Sequence, residues 1–192
     1  KWRRPLRNTL DWLRDRLAEV YEETGRKFFA DPWRARDAYI GVIRDRSPAR
    51  LQRFLTQEQN HRLDAAEKVD ALRLLEIQRH ALLMYTSCGW FFDEVSRPEG
   101  VQLLRYAAHA MRLAGDVTGI QLEESFLERL ETVPSNVGVF QHGAEIYRQL
   151  VLPSQINLNQ VAAHYAMSSL FTPYASEERL YCYVIERLDY EL

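Results

Sequence analysis

Apolar side chains recur along most of the chain at the spacing of an α-helix. Leu6, Leu10, Leu13, Leu17 and Val20 form one stripe opposite arginine and aspartate, which predicts a long amphipathic helix closing near Gly25. Asp31 ahead of Pro32 pairs a cap residue with a first-turn proline and opens a second helix. Ser47 and Pro48 repeat the device and open a third, through Leu51, Phe54 and Leu55. Asp64 and Glu67 have the spacing of a capping box. They start a fourth helix that the pattern carries from Val69 to Cys88, with Gly89 as its end. Its last turns, 81–88, are apolar or small on every side, which predicts a buried segment. Ser96 and Glu99 read as a second capping box, opening a fifth helix to about Leu113. A shorter helix follows at 122–130. Pro134, Asn136, Gly138 and Gly143 mark 132–143 as a loop. One more helix ends before Pro153, and Asn157 caps a last one through Val161, Tyr165 and Leu170.

The end of the chain changes character. Residues 180–186 are aromatic and β-branched, the composition of a strand, and no second strand is evident. A lone strand leaves its backbone groups unpaired. The predicted fold is therefore all-α: an irregular bundle of about seven or eight helices with one orphan β-strand at the C-terminus. In this reading 1–178 form the bundle and 179–192 lead into a sheet supplied by further chain. Lys1 in place of an initiator methionine points the same way, to processing or to a piece of a longer polypeptide.

Charge adds little. The 192 residues carry a formal −2. The first sixteen hold six basic residues against Asp11 and Asp15, a local +4, and 176–192 hold a local −3. No basic face marks a nucleic-acid binder. No apolar run is long enough to span a membrane. Cys88 and Cys182, the two cysteines, suit free thiols in a reducing, cytoplasmic setting.

Complete catalytic motifs are absent from the sequence. Glu58 and His61 make one Glu-x-x-His pair, where a di-iron bundle needs two pairs and further carboxylates. There is no metalloprotease helix, P-loop, dinucleotide glycine pattern or serine elbow. No metal or cofactor is expected. Glu76, His80 and Ser87 share a stripe of the fourth helix, and Gln102, Arg105, His109 and Arg112 share one on the fifth. Two readings stand: a Glu76–His80 pair satisfied within the core, or the wall of a polar cleft. Tyr85, Trp90, Phe91, Phe92, Asp93 and Glu94 crowd the junction after the fourth helix. Aromatic faces stack on sugars and carboxylates accept from hydroxyls, so the cluster suits a carbohydrate. Equally, the aromatics can plug the end of the bundle.

The segment LLMYTSCGWFFDE (82–94) resembles the signature of a helical domain of unknown function, numbered 3536. The likeness extends over DPWRARDAY (31–39), PSN (134–136) and VAAHYAMSSLF (161–171). That domain follows the catalytic barrel in bacterial proteins related to glycoside hydrolase family 57, of the α-amylase/α-mannosidase type. The resemblance implies a distorted (β/α) barrel upstream, with a glutamate nucleophile and an aspartate acid/base that lie before Lys1. The segment itself is then non-catalytic. It also implies that Trp90 lines an α-glucan cleft, to which the reading of the residues adds Tyr85, Asp93 and Glu94 beside it, with His80 and Glu76 as further candidates. The polar pair that precedes the corresponding tryptophan in family 57 enzymes is Ser87 and Cys88 here, a departure from that pattern. The alternative is a structural or oligomerisation module that binds no ligand.

Overall fold

A computed structural model describes residues 1–180 and 183–189. They form two compact units, Lys1–Leu152 and Pro153–Leu192. The first is an irregular multi-helix bundle and the second a helix followed by a hairpin, so the chain is mostly helical.

In the first unit, α1 (Arg3–Gly25) turns Leu6, Leu10, Leu13, Leu17 and Tyr21 inward, all fully buried. Truncating any of these leucines to alanine costs about 2–5 kcal/mol by the usual core scale. The helix opened by Asp31 is two pieces, α2 (Pro32–Ala38) and α3 (Ile40–Arg44), which meet at Tyr39. The Ser47 hydroxyl accepts from the Arg50 N–H at 3.3 Å and starts α4 (Pro48–Glu58). At the head of α5 (Ala65–Leu83) the capping box is complete, Asp64 and Glu67 each accepting the other's backbone N–H at 2.9 Å. α6 (Pro98–Thr118) is stopped by Gly119, whose φ of 77° suits glycine. α5 runs along α6, and both pack on α1. α7 (Glu123–Leu130) and α8 (Gly143–Ile146) close the unit, with a widened turn at Tyr147–Val151.

Three expectations need correction here. The fourth predicted helix stops at Leu83, five residues before Cys88, and its end is buried on one side only: Ala81 and Met84 are in the core, whereas Leu82 is 64% exposed and Ser87 and Cys88 face solvent. Thr86, Ser87, Cys88 and Gly89 are poor helix formers, and the chain folds instead into a tight turn at Ser87–Trp90. The second capping box does not form. Pro98 occupies the first turn of α6 and makes Arg97 the cap position, so Ser96 lies outside the helix and its N–H goes to Glu94. Gly89 keeps an ordinary φ; a Cβ there would meet Leu103 Cδ1 at 2.4 Å, so close packing on α6 is what requires the glycine.

In the second unit, α9 (Leu158–Ser169) begins with a capping box between Asn157 and Gln160 and buries none of its residues. The predicted orphan strand is replaced by an antiparallel hairpin, β1 (Glu177–Leu180) with β2 (Tyr183–Glu186), Glu177 opposite Glu186 and Arg179 opposite Val184. β1 was hidden because EERL is charged and has no alternating apolar face. Tyr181 and Cys182 lie outside the described residues, so the free-thiol expectation is met for Cys88 alone, which is free and exposed. Among the described residues no helix is long and apolar enough to cross a membrane.

Candidate functional site

The segment after Leu83 is held to the first turns of α1. Tyr85 donates to Asp11 Oδ1 at 2.7 Å, and the Arg7 guanidinium lies 4.6 Å over its ring. Burial, then the Asp11 carboxylate, push the Tyr85 phenol pKa up. Trp90 is half-buried and stacks on Trp2, ring centroids 6.0 Å apart at 17°. Arg3 donates to the Trp90 carbonyl at 2.8 Å, to Phe91 O at 3.2 Å and to Phe92 O. The Trp2 indole donates to Asp93 O at 2.9 Å, and Asn136 Nδ2 donates to the same oxygen. Two adjacent residues at the start of the chain thus hold four consecutive carbonyls, 90–93.

Glu94 is the buried anchor of this loop. Its carboxylate accepts from Ser96 N at 3.0 Å, Ser135 Oγ at 2.9 Å and Asn136 N. Burial alone would raise its pKa, but these hydrogen bonds outweigh it and keep the group below the usual carboxylate range. With its oxygens occupied, Glu94 is a structural tie between 94–96 and 135–136. Phe91, by contrast, is 82% exposed, and the Asp93 side chain also faces solvent.

The polar stripes of α5 and α6 meet at a second place. Glu76 accepts from Tyr39 OH at 2.7 Å, Arg79 at 2.9 Å and Arg46 at 3.2 Å. Burial opposes its charge, and those three donors overcome the penalty and lower its pKa. His80 Nδ1 donates to the Glu76 carbonyl at 3.2 Å, and its ring lies 4.4 Å from that of His109. Arg112 donates to His109 Nδ1 at 3.0 Å, which leaves the His109 proton on Nε2. Burial, with His109 next, brings His80 down to about 4; His109 is lowered by burial and by Arg112. At neutral pH this is a pair of uncharged imidazoles beside a saturated carboxylate.

Of the six sequence candidates, Tyr85, Trp90, Asp93 and Glu94 therefore belong to one anchored loop, while Glu76 and His80 belong to the Tyr39–His109 cluster. Glu58 and His61 are engaged elsewhere, Glu58 with Arg34 at 3.0 Å and His61 with Glu67 at 3.1 Å. Among the described residues no three His, Cys, Asp or Glu are grouped to hold a metal ion. The sequence reading missed Trp2, Arg3 and Tyr39, whose partners lie 37 to 91 residues away; local spacing carries no signal for such contacts. The family model described as a domain of unknown function (DUF3536) matches residues 1–192. No curated protein and no solved structure matches the chain.

Proposed function

Since the chain belongs to the family of domain of unknown function 3536, we propose that it is an accessory helical domain of a glycoside hydrolase family 57-like protein. It buttresses a catalytic barrel of the same polypeptide and offers an aromatic face to an α-glucan. The observation that carries this reading is Phe91, 82% exposed on a loop whose backbone is fixed at four successive carbonyls. An exposed aromatic on a rigid mount loses little freedom when a sugar stacks on it. Beside it, the solvent-facing carboxylate of Asp93 is the hydroxyl acceptor. The polar atoms of Glu94, Tyr85 and Glu76 are already bonded within the fold, and this reading assigns them no sugar contact. His80 lies in the separate imidazole pair.

A second reading, a structural module, is favoured by the Trp2–Trp90 stack. Phe91→Ala and Trp90→Ala in the full-length protein separate the two. Phe91→Ala is expected to leave stability within about 0.5 kcal/mol and to weaken maltooligosaccharide binding about tenfold. Trp90→Ala is expected to cost roughly half the 3–5 kcal/mol of a fully buried aromatic. Thermal melting and calorimetric titration read both. Unchanged sugar affinity in Phe91→Ala rejects the binding role and leaves the structural one.

A further inference from the structure

Many arginines in this fold have carboxylate partners, and three that have none share one place. Arg34 pairs with Glu58, and Arg46 and Arg79 with Glu76. Between the end of α3 and the start of α4 lies a cavity of about 470 Å³ whose lining includes Gly41, Arg44, Asp45, Ser47, Arg50 and Arg53. Among the described residues, the guanidiniums of Arg44, Arg50 and Arg53 have neither a hydrogen bond nor an ion pair. Asp45 is the one carboxylate in the lining, and its Oδ1 is taken by the Ser47 N–H at 3.0 Å. The wall therefore carries a formal excess of two positive charges, and the positive end of the eleven-residue α4 adds to it.

The Arg50 guanidinium also lies close against Gly41. A Cβ at Gly41 would lie 2.2 Å from Arg50 Nη2, so the guanidinium rests directly on the α3 backbone, in the space a side chain would fill.

We propose that this cavity binds the phosphate group of a small phosphomonoester. A phosphate dianion matches the charge excess, and guanidinium forks match its oxygens two at a time. The volume falls within the roughly 300–1,000 Å³ of small-ligand sites.

The test is calorimetric titration of the 192-residue chain with phenyl phosphate and inorganic phosphate, with acetate as the monoanion control. Both phosphates are expected to bind saturably and more weakly as salt rises, and acetate is expected not to bind. Arg50→Gln and Arg53→Gln should each weaken phosphate binding by about tenfold or more, the loss of a charge-assisted contact. Gly41→Ala should weaken it as well, by displacing Arg50 while keeping every charge. Arg46→Gln, which alters an arginine committed to Glu76, should leave affinity nearly unchanged. Helical circular dichroism verifies that each variant folds. Absence of binding by both phosphates at millimolar concentration overturns the proposal, as does equal affinity in the unaltered chain and Arg50→Gln. Sedimentation with phosphatidic acid vesicles, without binding of the soluble esters, overturns it in favour of a membrane surface.

Discussion

His80 shows how one side chain sets a pH response for the bundle. Its folded pKa of about 4 lies below the ordinary 6.5. Between those values the unfolded chain binds a proton that the folded chain refuses. Stability from this group is full above pH 6.5 and drains away as pH falls toward 4, at up to about 1.4 kcal/mol per pH unit. His109 is shifted in the same direction and adds to the effect. The melting temperature is therefore expected to fall between pH 7 and pH 5, above the range where carboxylates contribute most. His80→Gln should flatten that fall while keeping a donor for the Glu76 carbonyl. A melting curve identical at both pH values, or a fall of the same size in the variant, rejects the assignment.

Helix ends in this chain are decided by which cap the fold uses. Asp64 and Glu67 complete their box, so Asp64→Ala should cost about 1 kcal/mol in thermal melts. Glu99 makes no capping bond to Ser96, whose N–H goes to Glu94. Glu99→Gln should then cost no more than about 0.5 kcal/mol of helix-dipole energy, and equal losses in the two variants would contradict this. Both boxes look alike in sequence; Pro98, which fixes where α6 can begin, is what separates them. The same limit runs through the rest. The leucine stripe of α1, the Asp31 and Ser47 caps and the start of α5 were legible because period and cap chemistry are local. The end of α5 was not, because Tyr85 and Trp90 turn away to reach Asp11 and Trp2, residues 74 and 88 positions earlier. For the candidate loop, residue types were legible and roles were not: Glu94 looked like a ligand group and is a buried tie. The arginines at 44, 50 and 53 gave no signal in the sequence, because only the fold brings them to one wall.

At the scale of the molecule, the residues that make up the buried apolar core end at Val151, inside the first unit. Lys1–Leu152 expressed alone is expected to stay helical and to melt cooperatively, with α1, α5 and α6 as its centre. A fragment that lacks a cooperative transition by circular dichroism would show that the second unit is needed for the fold. The Trp2–Trp90 stack supplies an instrument for such experiments. Two indoles 6.0 Å apart and nearly parallel couple optically, and their shared signal in ultraviolet circular dichroism and emission exists only while the start of the chain and the aromatic loop remain together. The other tryptophans, Trp12 and Trp33, lie against Arg129 and against Tyr21 and Arg36, so Trp90→Phe should remove the coupled component and leave their emission. Loss of that component ahead of the helical signal on heating would mean that the loop lets go of α1 before the bundle melts.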